Sequence, residues 1–213
     1  MAETIFSFGI KTEEIKSIFG CKNVIINNKI KETRSFEAYK DFLPEGFNKT
    51  PAQAIEDIIY GKPIDNIANY AYAYALICFC EAFGDVLPYE YEFEENDIHL
   101  GVQTYLINTI LSNEYGLTNF LIEETLLGKD THPFQIPKVD KYPLIGMITN
   151  KELKVLKAKL KHIKIKDKKI EQLTESENEE DAKKGLAYQH IQAFINNIND
   201  CVEFGYDYIS FSH

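Results

Sequence analysis

The chain is short of the features that mark exported, membrane-spanning and cofactor-dependent proteins. Its four cysteines, Cys21, Cys78, Cys80 and Cys201, are too few and too irregularly placed for a disulfide framework. It has no Cys-x-x-Cys pair to nucleate zinc or run dithiol redox chemistry, so reduced thiols in a cytoplasm are expected. Its longest weakly charged run, Ile67 to Cys80, falls short of the roughly 20 residues that a spanning helix needs and is rich in tyrosine and alanine. The opening residues Met1 to Phe8 carry neither the basic start nor the apolar core of a secretory signal. Gly-x-Gly-x-x-Gly, a phosphate loop, Gly-x-Ser-x-Gly and His-Glu-x-x-His are all missing. The expectation is a soluble, cytoplasmic protein without membrane contact, cofactor or resident metal.

What is present is charge, unevenly spread. The formal net charge is −10, a poor match to nucleic-acid phosphates and a good match to a basic protein. The run Lys151 to Lys169 opposes nine lysines to Glu152 and Asp167, a local +7 that leaves −17 on the rest. At 213 residues the chain suits one domain, 1–213, long enough to bury a substantial core.

The pattern of apolar and turn residues predicts an α+β fold, mostly helical, with a sheet of about three strands. One strand runs to Ile10, one spans 144–149, and one closes the chain from Tyr206 to Ser212. Thr12 is expected to cap a helix ending near Gly20, and a weaker helical signal covers Asn23 to Phe42, closed by Pro44-Glu-Gly46. Thr50-Pro-Ala-Gln53 reads as a capping box with proline at the first helical position, and Gly61 supplies the stop. Asn150 is expected to cap a lysine-rich helix striped by Leu153, Leu156, Leu160 and Ile163. The acidic stretch 167–181 reads as a mobile loop, and Ala182 to Phe204 as a long helix stopped by Gly205.

Between Tyr70 and Gly84 almost every direction around a helix is apolar, which predicts a core helix whose tyrosine hydroxyls reach polar neighbours at its rim. Cys78 and Cys80 would project about 200° apart on it, so they are read as small buried hydrophobes. The motif Tyr72-Ala-Tyr-Ala-Leu76, Cys80-Glu81 and Gly84, with Phe134-Gln-Ile-Pro137, Pro143-Leu-Ile-Gly146 and the aromatic C-terminal strand, resembles an uncharacterised family of bacterial proteins of about 200 residues. That resemblance implies a bacterial cytoplasmic domain and no assigned activity.

Two sets of residues are candidates for function. Asp85, Tyr89, Glu90, Tyr91, Glu92, Phe93, Glu94, Glu95 and Asp97 place aromatic rings among carboxylates with no lysine or arginine nearby. Rings beside charge are what interface hot spots use, and they suggest a surface that grips a basic partner. This favours an immunity or antitoxin-like protein blocking a basic toxin such as a nuclease. The enzymatic alternative is a small hydrolase or transferase with catalytic Glu81, Asp85 and His99 near a tyrosine-lined pocket. A non-catalytic accessory protein that forms a homo-oligomer through its helices is a third reading.

Overall fold

The computed structural model describes residues 4–87, 98–99, 102–128, 132–139 and 143–212. Its architecture is the expected one: mostly helical α+β around a small antiparallel sheet. Strand β1 (Thr4–Ile10) pairs along its whole length with β5 (Asp207–Ser212), from Ile5 opposite Ser212 to Ile10 opposite Asp207. β4 (Leu144–Ile148) extends the sheet beyond β5. These are the three strands read from the sequence. Two short ones, β2 (Asp85–Leu87) and β3 (Ile98–His99), add to the other side of β1, in the order β2-β1-β5-β4 with β3 also on β1.

Side-chain alternation along the strands separates two cores. Phe8 and Ile10 of β1, Ile209 and Phe211 of β5, and Ile145 and Met147 of β4 face one helical layer. That layer comprises α1 (Thr12–Ile18), α2 (Val24–Lys31), α3 (Arg34–Tyr39), α4 (Pro51–Tyr60) and α5 (Asn69–Phe83). Ile5, Tyr208 and Ile148 face the second layer, made of α6 (Val102–Tyr115), α7 (Ile122–Leu127), α8 (Asn150–Leu160), α9 (Asp167–Thr174) and α10 (Glu179–Phe204).

α5 is the core helix that its composition predicts, with Tyr72, Leu76, Phe79 and Cys80 fully buried. Burying one such large apolar side chain contributes about 1.5–3 kcal/mol, and the intervening alanines let neighbours approach closely. The Tyr72 hydroxyl donates to Asp57 at 3.0 Å and accepts the Asp65 N–H at 3.1 Å, as expected for a rim tyrosine. The capping box at Thr50 and Gln53 is formed, and Gly61 adopts the left-handed conformation that stops α4.

Several local expectations are corrected. Thr12 does not cap α1; it is the first helical residue, and its hydroxyl donates to Asp207 instead. The α8 cap is Thr149, in a reciprocal box with Glu152, one residue before the predicted Asn150. The weak signal over Asn23 to Phe42 resolves into α2 and α3, separated by Thr33, whose side chain caps α3. The stretch 167–181, expected as an acidic loop, is helix α9, a short turn and the start of α10. Burial of Ile170 against the second core outweighs the polar composition there, which is the competition a charge count misses.

Candidate binding surfaces

Of the predicted acidic surface, Asp85 lies within the described residues, exposed on β2 opposite Gly9. It accepts the Tyr206 hydroxyl, an interaction that holds the Tyr206 pKa above its ordinary value. Tyr89, Glu90, Tyr91, Glu92, Phe93, Glu94, Glu95 and Asp97 lie outside the described residues. The strand segments that bracket them share one edge of β1, Leu87 opposite Ser7 and Ile98 opposite Ile5.

The residues of the enzymatic alternative sit on separate elements. Glu81 is engaged as a helix cap, its two carboxylate oxygens accepting the N–H groups of Arg34 at 3.0 Å and Ser35 at 2.8 Å. Asp85 pairs with Gly9, whereas His99 pairs with Thr4. Five residues of β1 separate those positions, about 17 Å at strand rise. Asp85 and His99 thus occupy backbone positions at opposite ends of β1, and Glu81 lies on α5.

Sequence reasoning missed a second place where rings meet carboxylates. Beyond α3, Phe42 and Leu43 are 45% and 50% exposed, and Phe47 36%. The rings rest edge-on against buried tyrosines of α5: Phe42 lies 5.3 Å from Tyr74, and Phe47 4.5 Å from Tyr70. The platform is fixed from below, since the Tyr70 hydroxyl donates to the Lys49 carbonyl and Tyr39 packs on Tyr74 at 4.6 Å. Burial pushes the Tyr70 and Tyr74 hydroxyls above their usual pKa, so both rings stay neutral. Glu37, Asp41 and Glu45 are exposed in the same stretch, with Glu37 bound by Lys40 at 2.9 Å. Asp41-Phe-Leu-Pro-Glu-Gly-Phe47 carries the same mixture of rings and acids as 85–97, and that composition was the available signal.

The lysine run builds the opposite surface. α8, the turn after it and α9 carry its nine cations on the second layer. Lys169 is used by the fold: it donates to the Tyr188 hydroxyl at 2.7 Å and lies 3.5 Å from Glu114, which also pairs with Lys184 at 3.0 Å. Tyr188, itself buried, donates to Glu114 at 2.6 Å, tying α6, α9 and α10 together. Burial and the adjacent carboxylate push the Tyr188 hydroxyl well up. For Glu114, burial acts upward but Tyr188 and Lys184 prevail, leaving its pKa below the ordinary value. Lys159 lies over the Phe120 ring at 5.2 Å. Lys154, Lys157, Lys161 and Lys164 are exposed and make no ion pair among the described residues. Between the end of α8 and α10 lies a groove of about 400 Å³, with Lys157, Lys161 and Lys164 at its rim.

An open cleft of about 740 Å³ at the end of the sheet, bordered by Lys11, Lys16, His132 and Asp207, is chiefly structural. Both Asp207 oxygens serve as acceptors, from Thr12 and from the Asn150 N–H at 2.7 Å, anchoring the start of α8. Among the described residues no group of three or more His, Cys, Asp or Glu side chains could hold a metal ion, and no helix is long and apolar enough to cross a membrane.

The fold and its surfaces thus define an α+β protein with an aromatic, acid-flanked patch on one helical layer and a lysine-rimmed groove on the other. Over residues 1–213 the chain matches the family described as Domain of unknown function (DUF7691), and it belongs to that family. No curated protein matches it, and no solved structure does.

Proposed function

We propose that this chain is a protein-binding module that blocks a basic protein partner by occlusion, in the manner of a bacterial cytoplasmic immunity protein or antitoxin facing a basic toxin. The observation that carries this reading is the pair Phe42 and Phe47, held half-exposed on the fixed tyrosine platform in a stretch that also carries the exposed Asp41 and Glu45. Preorganised rings bury area at little entropic cost, and surrounding carboxylates accelerate encounter with a cationic surface. The acidic, aromatic residues Tyr89 to Asp97 are assigned to the same role by their composition. The lysine run supports the reading too, because among the described residues only its Lys169 pairs with a carboxylate.

The test starts with capture from the native cell and identification of a stoichiometric basic partner. Its affinity is then measured against two variants. Phe42→Ala/Phe47→Ala is expected to weaken binding by about tenfold or more, mainly through faster dissociation. Glu92→Lys/Glu94→Lys/Glu95→Lys is expected to slow association at low salt. Unchanged kinetics in both variants overturn the proposal.

A further inference from the structure

The groove between the end of α8 and α10 has a composition that ordinary helix packing does not require. Its floor is apolar: Leu160, Ile163 and Ile198 are buried there beside the half-buried Ile195. Its rim carries Lys157, Lys161 and Lys164, and no carboxylate contributes to the lining. Lys154, Lys157 and Lys161 recur at the three- and four-residue spacing that puts side chains on one helical row. Like charges on one row repel one another and destabilise an isolated helix by a few tenths of a kcal/mol per pair. Lys169 is absorbed by the fold at Tyr188 and Lys159 lies over Phe120, whereas the rim lysines make no ion pair among the described residues.

We infer that this groove is a second docking site, distinct from the aromatic patch, that takes an acidic peptide segment of a partner protein anchored by one apolar side chain. Charge complementarity selects the acid, since three lysines line the groove and none of them pairs with a carboxylate among the described residues. The apolar floor selects a side-chain anchor over a bare polyanion. Gln192, on the α10 wall, donates its amide N–H to Asn196 at 3.1 Å and keeps its carbonyl oxygen as an acceptor for a peptide N–H. A nucleic-acid strand fits less well, because the lining has no aromatic ring on which a base could stack. A membrane surface fits less well because the apolar floor is recessed beneath the lysines, whereas interfacial helices present protruding apolar side chains to lipid.

The experiment uses the full chain and a fluorescein-labelled dodecapeptide rich in glutamate with a single central leucine. Controls are the same peptide with serine for leucine, a single-stranded DNA dodecamer, and phosphatidylglycerol vesicles. Fluorescence anisotropy is expected to show the leucine peptide binding about tenfold more tightly than the serine peptide. K157E/K161E/K164E should lose that binding by about tenfold or more, and F42A/F47A should leave it unchanged. K157Q/K161Q/K164Q serves as the second variant should charge reversal disturb folding, which circular dichroism reports. Equal binding of the two peptides, no peptide binding, retention of binding in both lysine variants, or a preference for DNA or vesicles would each overturn the inference.

Discussion

The Glu81 carboxylate accepts the backbone N–H of Ser35 at 2.8 Å, and its second oxygen takes that of Arg34 at 3.0 Å. Thr33 supplies the acceptor for Phe36 at 3.1 Å, so the first three donors of α3 are all satisfied, two of them from α5. This interaction clips the helix that leads to the aromatic patch onto the core helix. Glu81→Ala should lower stability by about 1–2 kcal/mol. Urea unfolding followed by circular dichroism reads this as a lower midpoint with unchanged slope, and an unmoved midpoint would show that the cap is not stabilising.

Gly146 permits a close approach between β4 and the end of α7. A Cβ built there would sit 2.6 Å from the Leu127 Cα and 2.7 Å from the Leu126 carbonyl carbon, backbone atoms that cannot swing aside. Gly146→Ala should therefore push α7 off the sheet and cost about 3 kcal/mol or more. Thermal denaturation of that variant beside Gly116→Ala isolates the steric effect. Gly116 has nothing within 4 Å of its Cβ position, but its φ of +71° makes alanine mildly strained there. A smaller loss at Gly146 than at Gly116 contradicts the packing argument.

The clamp joining Glu114, Tyr188, Lys169 and Lys184 should confer a pH-dependent share of stability. Glu114 is held below its ordinary value of 4.5, so its contribution is present above that pH and is lost as pH falls through the lowered folded value. Lys184 is held above 10.5, chiefly by its bond to Glu114, so its contribution is present below that pH and is lost as pH rises through the raised folded value. Denaturant midpoints measured across pH should fall on both flanks. Glu114→Gln should flatten the acid side, and a variant curve parallel to the wild type on that side would refute the assignment.

The thiols divide by access. Burial pushes Cys78 and Cys201 up to about 12 and holds Cys80 well above its ordinary value, whereas Cys21 is only half-buried. A thiolate-selective disulfide reagent at pH 8 should modify Cys21 in the native protein and the other three only after unfolding. Mass spectrometry distinguishes the sites, and rapid native modification of Cys78 would contradict the packing of α5.

Periodicity and end signals were enough to read β1, β4 and β5, with β4 ending at Ile148 rather than at Thr149, the capping box at Thr50, the stops at Gly61 and Gly205, and the all-round apolar α5. Each depends on contacts within a few residues, or on an apolar pattern that any core would bury. The two short strands were not legible as sheet members: Asp85–Leu87 opens a stretch whose composition reads as extended chain or loop, and both it and Ile98–His99 are strands by virtue of pairing with β1. Nor was α9, whose polar run becomes helical where Ile170 finds a buried seat.

Chemistry followed the same division. Composition alone marked rings beside carboxylates and a run of lysines, since charge and aromatic content survive any folding. Whether Glu81 was an acid or a cap, which lysines the fold consumed, and that Phe42 and Phe47 stand on Tyr74 and Tyr70 were decided by tertiary structure. The physical reason is that a side chain's role depends on the partner it meets, and these partners come from distant parts of the chain that only packing brings together.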